Sequence, residues 1–397
     1  MKSNSIIVWN ILLISLVYLF GIINQWYYSL PLILLITTFL LLRKKWIKPL
    51  FLFHYWGVLS ILLMDIALRL FPIIPLYYRN FELLNQPNEI FKHTQSLRPN
   101  TTNTLDSHGD LGAMLGNSDY QIKRSIIFTT DTLGFRNQPG QHIQNNKIIL
   151  LGDSYVMGSG VDQGQMTSFL LNEQGINTYN LGFPGGIDKS VQRYLQFKPM
   201  IKTDEDFKVY FILFEGNDWD ENCYPLDIEP RLTSWELIQN KMTSFRKRSP
   251  IRQLYTRLLY TDYDPNKKKL VEIDNERTSN LLFLPYLEQD SLKYQDLDRY
   301  ACFKASIEKL NNQVRKDGGE LIVLSVFSKE SYINSVQFHP FDETFKTIAS
   351  ELNIDFISTR ELFDPKNDTK YCWWLDDTHW NNHGHEKLFN IITNGYK

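Results

Sequence analysis

The chain is poor in cysteine, carries no excess of charge of one sign, and shows no internal repeat or low-complexity tract. Its three cysteines, Cys223, Cys302 and Cys372, make neither a C-x-x-C pair nor a metal-ligand spacing, which excludes a zinc framework and a dithiol redox motif. One disulfide can form in an oxidising compartment. Cys223 follows Gly216-Asn217-Asp218 and Cys372 precedes Asp376 and His379, so free buried thiols are expected first, with a pairing of these two at a common rim as the alternative. The 42 basic and 44 acidic residues leave a formal charge of -2, with no footprint for a nucleic-acid backbone, and no nucleic acid is expected as a partner.

Hydrophobicity is unevenly spread. A mean hydropathy of -0.28 hides an apolar N-terminus, with stretches Ile6 to Ile23, Tyr27 to Leu42 and Leu50 to about Pro72. The first and third reach the roughly 17 to 25 residues a bilayer-crossing helix needs, and the second is at the short edge. A cleavable signal peptide is the alternative for the first, but its n-region holds only Lys2 and no small-x-small site precedes Gln25. Arg43, Lys44, Lys45 and Lys48 mark a cytoplasmic loop, so three crossings place everything after Tyr78 outside; a second stretch that is a core or re-entrant segment is the alternative, and it would turn the large domain to the cytoplasm. Asp65 and Arg69, one helical turn apart, read as an i, i+4 ion pair rather than an intramembrane proton path.

Three parts are expected: residues 1–78, a transmembrane helical region; 79–146, a juxtamembrane linker with a small β element around Ser125 to Thr130; and 147–397, a catalytic domain with an insertion at 219–296. Strands are expected at Lys147 to Leu151, Thr178 to Leu181, Lys208 to Phe214, Glu320 to Phe327 and Asp355 to Ser358. Helices are expected at Met166 to Glu173, Lys189 to Phe197, Leu297 to Lys316, Asp342 to Leu352 and His385 to Thr393, and a further helical segment lies within the insertion, Thr233 to Tyr260. Such alternation predicts an α/β fold, a parallel sheet covered on both faces, with ligand chemistry at the carboxyl ends of its strands.

Four blocks fall where that chemistry gathers. Gly152-Asp153-Ser154 ends the first strand, Gly185 follows the second, Gly216-Asn217-Asp218 follows the third, and Asp376 to His379 precedes the last helix. A serine hydroxyl needs a base to take its proton, and the base needs an acid to hold its tautomer. Ser154, His379 and Asp376 fill these roles, with Asp376 preferred to Asp377 because three residues is the spacing of one turn. The Ser154 amide, the Gly185 amide and the Asn217 side chain form a candidate oxyanion hole. His383 reads as exposed and His385 as a packing or capping residue. Trp219, Trp373, Trp374 and Trp380 suit either a sugar platform or a packed core.

With these blocks the chain from about Lys147 to Lys397 resembles the SGNH hydrolases, the GDSL-type esterase/lipase superfamily. The resemblance implies a flavodoxin-like three-layer α/β/α sandwich, no metal and no cofactor, with Ser154, Gly185 and Asn217 as oxyanion donors. Val156 stands where the second glycine of a Gly-x-Ser-x-Gly elbow would be, so the α/β-hydrolase signature is missing. Thr132-Leu133-Gly134-Phe135-Arg136 is similar to a segment of membrane-anchored bacterial members, some of which add or remove acetyl groups on envelope polysaccharides.

The function expected is a membrane-anchored serine esterase acting on an acyl group, acetyl foremost, of an envelope carbohydrate or lipid. An O-acyltransferase passing the acyl group to a sugar, with a membrane acyl-transfer partner, uses the same acyl-enzyme. A non-catalytic envelope-binding subunit is the reading from another class.

Overall fold

The computed structural model describes residues 60, 63–70, 84–88, 90–91, 94–111, 122–221, 223, 233–235, 250–251, 268–273, 278–283, 286, 291–333, 340–363 and 372–396. Two units separate: Met1–Leu76 with Met242–Thr261, and Tyr77–Lys241 with Asp262–Lys397.

In the first unit residues 63–70 are helical, with Leu63, Met64, Ile66 and Leu70 exposed and Asp65 buried. Arg69 Nε donates to Asp65 Oδ2 at 2.8 Å, the i, i+4 pair the spacing implies. Among the described residues no helix is long and apolar enough to cross a membrane. The expected spans Ile6 to Ile23 and Tyr27 to Leu42 lie outside the described residues, as does most of the third and most of the expected helix from Thr233 to Tyr260.

The second unit begins with two antiparallel strand pairs, β1 (Asn85–Pro87) with β2 (Gln95–Leu97), and β3 (Thr102–Ser107) with β4 (Arg124–Thr129). The main sheet follows, with β5 (Asn146–Gly152), β6 (Thr178–Asn180) and β7 (Thr203–Phe214). A hairpin of β8 (Lys268–Ile273) and β9 (Thr278–Phe283) stands in the insertion, and β10 (Glu320–Val326) and β11 (Asp355–Ser358) complete the sheet. Its order is β11-β10-β7-β5-β6, all parallel. Counted by their place in the chain the five strands run 2-1-3-4-5, the flavodoxin-like order, whose switch point lies between β5 and β7.

Strand alternation builds three layers. Ile149, Leu151, Val209, Phe211, Leu213, Leu321 and Val323 face one core. Ile148, Leu150, Tyr210, Ile212, Ile322, Leu324 and Val326 face the other. Because both faces are covered, β5 reads as a continuous apolar run, and each such side chain buried contributes about 1.5 to 3 kcal/mol. The helices supply matching stripes. α1 (Ser154–Met157) and α2 (Thr167–Glu173) follow β5, and α3 (Ile187–Phe197) buries Ile187, Val191 and Tyr194 in the first core. α4 (Leu297–Lys316) adds Phe303, Ile307, Leu310 and Val314 at helical spacing. α5 (Lys329–Ile333) and α6 (Pro340–Glu351) come next, and α7 (Asn382–Tyr396) packs Leu388 and Ile392 on the second face.

The expectation of free thiols holds for Cys372 and is corrected for the other two cysteines. Cys223 is bonded to Cys302 of α4, with their Cα atoms 6.2 Å apart. The sheet keeps Cys223 and Cys372 apart: Cys223 packs against the first core, where Trp219 lies on Phe303, while Cys372 is buried in the second. The tryptophans divide in the same way. Trp219, Trp373 and Trp380 are buried core residues, which withdraws them from a sugar platform. Trp374 is half-buried, with the Arg124 guanidinium 4.1 Å from its ring centroid.

Candidate active site

The first block forms a sharp corner at the carboxyl end of β5. Gly152 has φ +155°, and a Cβ there would come within 2.6 Å of the Ile212 carbonyl oxygen and of Val156, so only glycine fits. Asp153 caps the short helix, its Oδ1 accepting from the Tyr155 amide at 2.8 Å. Burial pushes the Asp153 carboxyl up to about 6. Ser154 opens α1, buried and turned toward His379, and its Oγ lies 2.8 Å from His379 Nε2.

Arg136, the last residue of the Thr132 to Arg136 segment, is fully buried beneath this corner. Its guanidinium donates to the Gly158 carbonyl, to the Val161 carbonyl at 2.6 Å and to the Ile127 carbonyl at 3.0 Å. Burial lowers its pKa to about 9. Arg193 on α3 donates to the carbonyls of Phe183 at 2.6 Å and Gly152 at 3.3 Å, tying the first block to the second.

Gly185 lies in the loop between β6 and α3 with φ +137°. Its neighbour Gly186 donates its amide to Glu221 Oε2 at 2.6 Å, and the Glu221 amide donates to the Asn217 carbonyl at 3.1 Å, so the second and third blocks are joined. The Asn217 side-chain oxygen is buried with no hydrogen-bond partner among the described residues. Asp218 turns inward, accepting from the Phe214 amide at 2.6 Å, and burial raises its carboxyl well above the ordinary range.

At the last block the expected acid is corrected. Asp377, not Asp376, meets the base: its Oδ1 lies 2.8 Å from His379 Nδ1 and also accepts from the His379 amide at 3.1 Å. Residues 372–380 are not helical but form a loop closed by an antiparallel bridge between Trp373 and Trp380. In such an irregular loop, residues two apart face one way, and the three-residue spacing of a helical turn does not apply. Asp376 points instead to the N-terminal strands, accepting from Arg124 Nη1 at 2.8 Å, the Ile122 amide at 2.7 Å and the Gly109 amide at 3.0 Å. A Cβ on Gly109 would come within 2.0 Å of the Asp376 carbonyl oxygen, so the two segments touch backbone to backbone. Burial pushes the Asp377 carboxyl up; Asp110 adds to the rise and His379 opposes it.

Three long-range supports of this loop had no signal in the sequence. Lys329, buried just after β10, donates to the carbonyls of Trp374 and Asp377 at 3.0 Å each. Arg124 Nη2 stands 3.5 Å from Asp377 Oδ2. Asp110 accepts from the Thr378 amide at 2.8 Å and the Thr378 hydroxyl at 2.6 Å. Asp110, Asp377 and His379 hold potential ligand atoms within 4.8 Å of one another, and the hydrogen bonds above already engage all three. His383 is exposed beside Glu386, and His385 is buried with Nδ1 3.1 Å from Thr167 Oγ1.

A serine, an imidazole and a carboxylate in line is the arrangement that activates a hydroxyl for acyl transfer. Among solved structures the chain is similar to a member of the lipolytic protein G-D-S-L family from Veillonella parvula, at 13% identity and TM-score 0.36, covering 62% of this chain and 96% of that one. It is also similar to TesA, at 11% identity and TM-score 0.32 over 63% of this chain and 97% of that one. A lipase/acylhydrolase from Enterococcus faecalis aligns at 12% identity and TM-score 0.34, covering 63% and 94%. No protein-family model and no curated protein matches the chain.

Proposed function

We propose that this chain is a serine esterase that removes an acyl group, acetyl foremost, from an envelope carbohydrate or lipid. What carries the reading is the relay from Ser154 Oγ through His379 Nε2 and Nδ1 to Asp377 Oδ1, each link 2.8 Å. Ser154 Oγ attacks the ester carbonyl carbon while its proton passes to Nε2, and Asp377 holds the resulting imidazolium. The leaving alkoxide takes that proton as the carbon-oxygen bond breaks. Water then attacks the acyl-enzyme with His379 again as base, releasing the acid and restoring the hydroxyl. The Ser154 and Gly185 amides and the Asn217 side chain are the oxyanion donors in this scheme, each worth about two to three powers of ten in rate.

The full chain should hydrolyse p-nitrophenyl acetate, and Ser154→Ala should abolish the turnover. Equal turnover by Ser154→Ala would remove the serine mechanism. Acylated sugar, in place of free acetate, when a glycan is added would turn the reading to O-acyltransferase.

The membrane anchor and outward-facing catalytic domain belong to the same proposal, supported by the three apolar stretches before Tyr78 and the basic run Arg43 to Lys48. Protease added to intact spheroplasts should degrade residues beyond 78. A C-terminal domain left whole under those conditions would reverse the topology.

A further inference from the structure

Thr378 stands between the acid and the base, and each of its polar groups is held. Its amide and hydroxyl donate to Asp110, at 2.8 and 2.6 Å, and its carbonyl accepts from the Tyr155 hydroxyl at 2.5 Å. Tyr155 adjoins the nucleophile, whereas Asp110 follows β3 and reaches the loop from 268 residues away. The same Asp110 Oδ2 that takes the Thr378 hydroxyl lies 3.4 Å from His379 Nδ1, the nitrogen that Asp377 already holds. Asp110 is 1% exposed, so its charge acts on the imidazole with little screening by water.

We infer that Asp110 is a positioning residue for the acyl-transfer step: it fixes the Asp377-Thr378-His379 turn and sets a second carboxylate at His379 Nδ1, making the chain just after β3 a working part of the site. The inference rests on the serine-esterase reading. Two consequences separate the clamp from the charge. A peptide turn that rotates at Thr378 carries Nε2 away from Ser154 Oγ, which slows the chemical step and leaves ground-state binding alone. A nearby carboxylate favours the imidazolium, so its removal makes His379 easier to keep neutral. The other charged or titratable groups that bear on this site are Asp377, Asp376, Arg124, Lys329, Glu330, Tyr155, Asp153 and His385, and all are retained in the variants below.

The test uses the full chain and p-nitrophenyl acetate. Asp110→Asn should lower kcat by about 10- to 100-fold with KM within about twofold, and should move the acid limb of kcat/KM to lower pH. Thr378→Val, which removes the hydroxyl bond and keeps the carboxylate, should lower kcat about three- to tenfold with the acid limb unmoved. Asp110→Asn at wild-type kcat, or slowed with its acid limb at the wild-type pH, overturns the inference. Thr378→Val at wild-type kcat overturns it too, whether or not Asp110→Asn folds. Ser154→Ala keeps the two levels apart: if that variant is inactive while the Asp110 and Thr378 variants behave as wild type, the esterase reading stands and this inference falls.

Discussion

The two halves of the relay are built in opposite ways. The nucleophile corner is assembled from nearby chain: Asp153 caps Tyr155 two residues on, Arg136 reaches Gly158 across 22 residues, Asn180 holds the Val156 carbonyl across 24, and Arg193 meets Gly152 across 41. The acid loop is assembled from afar. Asp376 joins Arg124 across 252 residues and Gly109 across 267, and Tyr155 reaches the Thr378 carbonyl across 223. A corner made of local contacts leaves its mark in a short motif, whereas a loop held by remote contacts has a geometry that no local spacing encodes.

The sharpest way to break this comparison is to remove the two neighbouring carboxylates one at a time. Asp377→Asn takes the acid from Nδ1 and should lower kcat by about 10³- to 10⁴-fold with the fold intact. Asp376→Asn leaves Nδ1 served but weakens the bond to Arg124, and its main effect should be on stability, a loss of about 3 kcal/mol because a buried guanidinium loses its nearer carboxylate and keeps the 3.5 Å contact with Asp377. Steady-state kinetics and urea unfolding on both variants separate the two. If Asp376→Asn is the slower enzyme and Asp377→Asn the less stable protein, the assignment of roles is reversed.

The same contrast accounts for what could be read from the sequence. The five parallel strands and the helices between them follow from apolar runs and 3.6-residue stripes, which are local signals, and α4 and β11 fall on the expected residues. Ser154 and His379 were legible because a Gly-Asp-Ser corner and a terminal histidine each sit beside a regular element. The choice of Asp376 failed because it borrowed helical spacing for a segment that is a loop. Asp110, Arg124 and Lys329 were invisible, since a lone charged residue in a polar stretch looks the same whether it faces water or a buried loop. The Cys223–Cys302 disulfide was missed for a related reason: nearness to a site block says nothing about which face of the sheet a thiol occupies.

A smaller effect tests how the two halves are joined. His385, at the start of α7 just past the acid loop, meets Thr167 Oγ1 at the start of α2, just past the nucleophile corner. Burial, with Arg136 and His379 adding to it, lowers the His385 pKa to about 3. The unfolded chain therefore takes up this proton near its ordinary 6.5 while the folded protein does not, so the stabilisation is full above about pH 6.5 and drains away as pH falls toward 3. Asp153, raised to about 6, works in the opposite sense: its contribution is full below about pH 4 and is lost as pH rises through 6. That term is common to wild type and variant and cancels in their difference. Between pH 7.5 and 5, the loss of unfolding free energy in His385→Asn should be smaller than in the wild type by about 2 kcal/mol, read from urea titrations at each pH. A variant whose stability falls as steeply as the wild type would mean that His385 already titrates normally in the folded protein, and that the junction between the two halves admits water.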